Sequence, residues 1–275
     1  MKNLEIMIES KSSKLNTILN ELGPFAVAFS GGVDSSFLLH RAHTLRKKEV
    51  IAVTIHTPYI PAREMEESIE FAGKYGIKHK ILELNFPEII RNNPIERCYL
   101  CKKTLFTEVL AFAKANNYSY VIDGTNADDT GDFRPGMRAL REMNVLSPLL
   151  ESGLTKKEIR QLCFDEGLTV WDKPAMACLL TRIPYDTAIN EDTLRMIEAG
   201  ENLLFDMGFP GTRVRVHGDV ARIECIPGFI EKIIHDPARE QIISSFKKIG
   251  FRYISLDLEG YRTGSSNPQK TSNER

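Results

Sequence analysis

Between Phe25 and Ile122 the chain alternates four short strand-like runs with stretches of helical periodicity, and this alternation restricts the fold more than any other feature. The runs are Phe25-Ala26-Val27-Ala28-Phe29, Val50-Ile51-Ala52-Val53-Thr54-Ile55, Lys80-Ile81-Leu82-Glu83-Leu84 and Tyr118-Ser119-Tyr120-Val121-Ile122. The first two are almost unbroken apolar segments, the pattern of strands covered on both faces. Spacing predicts helices over 34–45, 62–75 and 102–116. An earlier helix is expected over 3–22, with Leu15, Ile18, Leu19 and Leu22 on its apolar stripe and Gly23-Pro24 as its stop. Strand and helix in regular succession specify an α/β fold, a parallel sheet with helices on both faces.

Beyond about residue 150 the pattern changes. A helix is expected over 155–167, followed by an irregular stretch over 171–185 that is rich in Pro and Cys. A long helix near 190–207 leads to strands at Arg213–Val216 and Val220–Cys225, joined by His217-Gly218-Asp219. One or two helices over 228–248 and a strand at Tyr253–Leu258 complete the pattern. The expected division is a parallel-sheet domain over 1–150 and a smaller α+β domain over 151–275, with a loose polar tail from Gly264.

The first βα junction carries Ser30-Gly31-Gly32-Val33-Asp34-Ser35-Ser36. Paired glycines allow positive φ and close approach of backbone to a ligand. The helix that follows adds free N–H groups and the positive end of its dipole, which suits a phosphate. Ser30, Ser35 and Ser36 add hydroxyls, and Asp34 can cap the helix or help to hold Mg²⁺. An ordinary Gly-Gly turn with a capping Asp is the plainer reading of a glycine pair, but the full heptapeptide at this junction is more specific. No Gly-Lys-[Ser/Thr] follows, so it is not the Walker-type P-loop. It resembles the SGGxDSS loop of the ATP-pyrophosphatase (PP-loop) superfamily, which cradles pyrophosphate as a leaving group.

Asp123-Gly124-Thr125-Asn126-Ala127-Asp128-Asp129 directly follows the fourth strand, so Asp123, Thr125 and Asp128 are expected at the same carboxyl edge. Arg134 in Arg134-Pro135-Gly136 brings a cation close by, able to offset charge developing on pyrophosphate. Either segment can also be read as a surface loop.

Five cysteines, an odd number at uneven spacing, argue against a disulfide framework and for reduced thiols. Cys98-Tyr99-Leu100-Cys101 stands before the predicted 102–116 helix, and Cys178 lies in the irregular stretch. A structural zinc knuckle, a redox pair and coincidence all fit a lone CxxC. With Cys178 as a third thiolate, a [4Fe–4S] cluster with one iron free of protein ligands fits as well. Zinc would want a fourth ligand, for which His79 and His217 are available. Cys163, on a helical pattern, and Cys225, alternating with Ile223, read as core thiols.

Arg97 to Lys102 (Arg-Cys-Tyr-x-Cys-Lys), Pro174 to Tyr185 (Pro-Ala-Met-Ala-Cys-Leu-Leu-Thr-Arg-Ile-Pro-Tyr) and Arg213 to His217 (Arg-Val-Arg-Val-His), together with the glycine loop, resemble the LarE family over nearly the whole chain. The resemblance implies ATP- and Mg²⁺-dependent adenylylation of a carboxylate of pyridinium-3,5-biscarboxylic acid mononucleotide. Replacement of carboxylate oxygen by sulfur would follow, a step toward the nickel-pincer cofactor. In one branch of the family the residue matching Cys178 is the sulfur source; in the other, three cysteines hold a [4Fe–4S] cluster. Cys98 and Cys101 place this chain with the second, with Cys178 as a ligand at the reacting centre. The family often forms higher oligomers, so a homo-oligomer is implied.

The substrate so implied is strongly anionic. Arg213 and Arg215 stand two apart on a strand and leave the same face as His217, while Val214 and Val216 turn inward. Arginine can grip phosphate or carboxylate in bidentate fashion. A solvated strand face reads equally from the pattern alone, and the resemblance favours substrate binding. Arg182, four residues after Cys178, is expected to line the same pocket, with Glu201 and Glu224 as orienting partners or metal ligands.

Other functions meet obstacles. A tRNA thiolation enzyme shares the glycine loop, but 36 basic against 37 acidic side chains leave a net charge of -1 and no broad basic footprint. An amide-forming synthetase would need an ammonia source, and no glutaminase-like segment is visible. A nucleotide sensor would show no pyrophosphate release. No apolar run matches a bilayer span and residues 1–14 lack a signal-peptide core, so a cytoplasmic protein without a membrane partner is expected.

Overall fold

The computed structural model describes residues 2–131, 135–174 and 177–262. Arg134, Ala175, Met176 and the tail from residue 263 lie outside the described residues, so the expectations placed on Arg134 and on the tail do too.

The alternation of strand-like runs and helices becomes a four-stranded parallel sheet. Its strands are β1 (Phe25–Ala28), β2 (Val50–His56), β3 (His79–Glu83) and β4 (Tyr120–Ile122), in the order β3-β2-β1-β4. Side chains alternate across β1. Phe25 and Val27 enter a core with Leu15 and Leu19 of α1 (Lys2–Glu21), Phe37 to Leu39 of α2 (Val33–Arg46) and Phe71 of α3 (Ala62–Lys74). Ala26 faces the opposite core, built with Phe106, Val109 and Ala113 of α4 (Arg97–Ala115) and Leu140 of α5 (Pro135–Glu142). β1 and β2 are therefore covered on both faces, which explains why they read as apolar runs rather than as alternation, whereas edge strand β3 has no fully buried residue.

After α5 come a short helix, α6 (Pro148–Ser152), and α7 (Lys156–Asp165), which buries Ile159 and Cys163 in the α2 side of the sheet core. Thr155 and Glu158 form a capping box that fixes where α7 begins. One compact unit comprises residues 1–87 and 98–173, and a second comprises 88–97 and 174–275.

The second unit holds a three-stranded sheet in the order β5-β6-β7. β5 (Arg213–His217) and β6 (Val220–Glu224) are antiparallel, and β7 (Tyr253–Leu256) runs parallel to β6. α8 (Glu191–Asp206), α9 (Pro227–Ile234) and α10 (Ala238–Ile249) contribute Leu204, Ile233, Ile242 and Phe246 to its core, beside Val214, Ile223 and Cys225. Gly200 of α8 allows close packing, since a Cβ there would meet Phe246 Cζ at 3.2 Å.

One expected boundary shifts. α4 begins at Arg97, so Cys98 and Cys101 lie inside the helix, on its first two turns, rather than ahead of it. The cause is local: the Arg97 N–H donates to the Pro94 carbonyl at 2.9 Å, and the chain turns into the helix there.

Candidate active site

β1 has neighbours on both sides, β2 reached through α2 and β4 reached later in the chain. Strand order therefore reverses at the carboxyl ends of β1 and β4, the place where open α/β sheets bind ligands. Both loops singled out in the sequence leave from these ends: Ser30–Ser36 after β1 and Asp123–Asp129 after β4.

In the glycine loop Gly31 has φ 71°, a left-handed conformation that favours glycine. The Ser30 N–H donates to Ser35 Oγ at 3.3 Å, the two hydroxyl oxygens lie 3.1 Å apart, and Ser35 Oγ donates to the Gly32 carbonyl at 3.2 Å. Ser30 and Ser35 thus brace the turn. No side chain caps α2 at Gly32, and the buried Ser36 hydroxyl has no partner among the described residues. An uncapped helix start beside an unsatisfied buried hydroxyl suits a phosphate.

Asp34 is the electrostatic centre of this edge. Burial pushes its carboxyl above the usual range, and the Lys156 ammonium, 2.5 Å from Oδ2, works against that shift. Its Oδ1 is buried without a well-aligned hydrogen-bond partner, although the Asn126 amide lies near enough to lower the carboxyl as well. An acid with one oxygen paired and the other only weakly engaged fits a Mg²⁺ ligand.

Asp123 and Asp128 each hold the β4 loop through hydrogen bonds. Asp123 accepts from Ser147 Oγ at 2.6 Å, from Thr125 Oγ1 at 2.5 Å and from the Thr125 N–H at 3.3 Å, which closes the loop on itself. Asp128 accepts the Lys156 N–H at 2.8 Å and so anchors the residue that faces Asp34. Gly124 permits the loop to touch the glycine loop: a Cβ there would sit 2.9 Å from Ser35 N.

Two lysines at this edge escaped the sequence reading. Lys156 pairs with Asp34, and Lys173 donates to the Gly31 carbonyl at 2.8 Å while pairing with Glu67 of α3. The signals available were the capping box that starts at Thr155 for the first and the Lys-Pro-Ala motif for the second.

Cys98 is exposed and Cys101 half-buried, one helical turn apart at the start of α4. The Tyr59 hydroxyl lies 3.1 Å from Cys101 Sγ. Cys163 and Cys225 are buried core thiols, as expected, and burial pushes the Cys163 thiol up to about 12. Among the described residues no group of three His, Cys, Asp or Glu side chains converges on one metal position.

In the second unit, half-buried Cys178 precedes a short 3₁₀ turn, Leu179–Arg182. Arg182 is buried and moors this segment: Nη1 donates to the carbonyls of Ala177 at 2.8 Å and Cys178 at 3.2 Å. Its other edge meets Glu201 in bidentate fashion at 2.8 and 2.9 Å, and Glu201 also accepts the Val214 N–H at 2.9 Å. Arg182 and Glu201 therefore tie the cysteine segment to β5.

Arg215 is buried rather than on an open face. Its Nε donates to Glu224 at 2.7 Å and its Nη1 to the Thr181 carbonyl at 2.5 Å. Glu224 also meets Arg222 at 3.0 Å, and its Oε2 is buried without a hydrogen-bond partner. Arg213 is half-buried, 5.3 Å from the Tyr261 ring centre. His217 is exposed at the strand end, its imidazole pushed down by burial and by Arg222 and Arg215.

Comparison with known proteins brings the two units under one relationship. The asparagine synthase family model matches residues 16–113, the span of the glycine loop and the parallel sheet up to α4. The pyridinium-3,5-bisthiocarboxylic acid mononucleotide synthase of Lactiplantibacillus plantarum is 33% identical over 271 residues, 96% of each chain. An uncharacterized protein of Synechocystis is 37% identical over 264 residues, 95% of this chain and 98% of its own. The 7-cyano-7-deazaguanine synthase of Clostridium botulinum is 27% identical over 174 residues, 52% of this chain and 78% of its own.

Proposed function

The chain belongs to the LarE family, and we propose that it adenylylates a carboxylate of pyridinium-3,5-biscarboxylic acid mononucleotide and then exchanges carboxylate oxygen for sulfur. It is an ATP-dependent sulfurtransferase of nickel-pincer cofactor biosynthesis, built on a PP-loop domain. In the first proposed step a substrate carboxylate oxygen attacks the α-phosphorus of ATP and pyrophosphate leaves. In the second, a sulfur nucleophile attacks the acyl carbon and AMP leaves, with one oxygen of the original carboxylate; a thiocarboxylate remains.

The observation that supports the first step best is the uncapped start of α2, with the unsatisfied Ser36 hydroxyl, at the point where strand order reverses. The α2 N–H groups and Ser36 receive the pyrophosphate oxygens, and Lys156 and Lys173 supply positive charge beside them. Asp34, through its weakly engaged Oδ1, would hold Mg²⁺, which neutralises phosphate charge when bound. Arg213 takes a substrate anion, and Arg182 with Glu201 holds the backbone of Cys178 in register with β5. Arg215 and Glu224 keep that end of β5 rigid.

For the sulfur, the donor chemistry fits a cluster: Cys98, Cys101 and Cys178 are the thiols that the two cores leave aside. They would hold a [4Fe–4S] cluster, which supplies sulfide for transfer when bound. The protein acts in the cytoplasm as a homo-oligomer in this reading.

Anaerobic purification followed by iron analysis and turnover tests it. The reading expects about four irons per chain, lost in Cys98→Ala, and pyrophosphate release that depends on the dicarboxylate substrate. Colourless zinc protein, or a single turnover in which Cys178 loses its own sulfur by mass spectrometry, overturns the cluster. No substrate-dependent pyrophosphate release overturns the adenylation.

A further inference from the structure

Two of the segments behind the family resemblance, Arg97 to Lys102 and Pro174 to Tyr185, leave their first and last residues without a role. In the second unit these two residues meet. The Arg97 guanidinium carbon lies 4.0 Å from the centre of the Tyr185 ring. Arg97 is only 3% exposed, and its Nε and Nη1 have no hydrogen-bond partner among the described residues.

That state is costly. A buried charge is normally paired, and each buried N–H left bare costs about 1–3 kcal/mol. The other buried arginines of the unit obey the rule, Arg182 with Glu201 and Arg215 with Glu224. For Arg97 no carboxylate partner occurs among the described residues. Stacking on Tyr185 occupies a face of the guanidinium, whereas its N–H groups lie in its plane and stay directed elsewhere.

The support beneath the pair is rigid. Asn93, fully buried with φ 50°, donates Nδ2 to the carbonyls of Leu180 at 3.4 Å, Ile183 at 2.9 Å and Pro184 at 2.8 Å. Asp186 N–H returns to the Asn93 carbonyl at 3.1 Å, and Ile189 N–H to that of Arg91 at 2.8 Å. Residues 88–97 thus fix the turn that carries Tyr185 and deliver Arg97 onto its ring.

We propose that Arg97 binds a ring carboxylate of the substrate, with Tyr185 holding the guanidinium flat for it. The assignment rests on the preceding reading of the substrate as a dicarboxylated pyridinium mononucleotide. At 3% exposure, Arg97 suits a planar two-oxygen group lying in the guanidinium plane. A tetrahedral phosphate needs wider access, which half-buried Arg213 offers.

Calorimetric titration with nicotinic acid mononucleotide and nicotinamide mononucleotide tests it, since these probes differ by one carboxylate replaced with a carboxamide. Wild-type protein is expected to bind the carboxylate probe about tenfold tighter, a charge-assisted against a neutral contact. Arg97→Met erases that preference, Arg97→Lys keeps part of it, and ATP affinity stays unchanged in both. Thermal stability of Arg97→Met in the absence of ligand is equal to or above wild type, because an unpaired buried charge is gone. Equal weakening of both probes would assign Arg97 to phosphate and overturn the proposal, and so would a preference that survives Arg97→Met. Should Arg97→Met fail to fold, Arg97→Lys decides by the same comparison. If wild-type protein binds neither probe, the substrate reading itself fails, an outcome visible before any variant is compared.

Discussion

Lys156 shows what a single residue contributes that its neighbours in the chain do not announce. Its partner Asp34 is 122 residues away, and Lys173 reaches Gly31 across 142 residues. Each lysine looks like one more solvated cation on a helix or loop, so neither was legible in the sequence, whereas Ser30–Ser36 was, because its chemistry is contiguous. Arg215 marks the opposite case: its strand position was legible, but its burial against Glu224 depends on a diagonal neighbour on β6. Lys156→Ala is expected to slow pyrophosphate release by about 100-fold or more, the scale of losing one charge-stabilising donor. The pH dependence carries a sign. Burial raises the Asp34 carboxyl and Lys156 lowers it, so removal of Lys156 raises it further. In the proposed role it is ionised Asp34 that would hold Mg²⁺, and the acid limb of the pH–rate profile should therefore move to higher pH in Lys156→Ala. An unmoved limb would separate Lys156 from Asp34.

At the scale of elements, the helices and strands of the first unit were legible because hydrophobic period reports local geometry directly. Strand order was not, since nothing in β4 says that it pairs with β1 on the side away from β2. Nor did the amphipathic pattern of α7 say which core it joins; Ile159 and Cys163 place it against the parallel sheet. The short helices α5 and α6 were missed, being too brief to establish a period. The contact between loop and helix at Gly124 allows a sharp test. Gly124→Ala puts a methyl 2.9 Å from Ser35 N and 3.1 Å from Ser35 Cα, backbone atoms that have no easy retreat. The variant should lose about 1–3 kcal/mol of stability by overpacking and most of its ATP affinity. Gly73→Ala on α3, where a Cβ meets nothing within 4 Å, should instead stabilise the protein by about 0.5–1 kcal/mol. Thermal denaturation and nucleotide titration on the pair distinguish a steric effect at the site from a general effect of losing glycine.

For the molecule as a whole, charge is the property that separates the sulfurtransferase reading from a tRNA-thiolation reading. A net charge of -1 gives the chain no overall positive charge to supply the sequence-independent attraction that holds nucleic acid. Mobility-shift titration with bulk tRNA at about 50 mM salt, where such attraction is strongest, should show no complex at micromolar protein. A salt-sensitive complex would reopen the RNA reading. The path of the chain has its own consequence for how the molecule is made. Residues 88–97 belong to the second unit but are synthesised in the midst of the first. Asn93 and the Ile183 carbonyl it grips stand 90 positions apart, and most of the first unit's remaining elements lie between them. On the ribosome, the segment that ends in Arg97 therefore emerges long before the turn it will clasp exists. A nascent chain stopped short of residue 183 lacks the turn that seats Arg97, so that part of the second unit can close only after a segment 90 positions beyond Asn93 has been made.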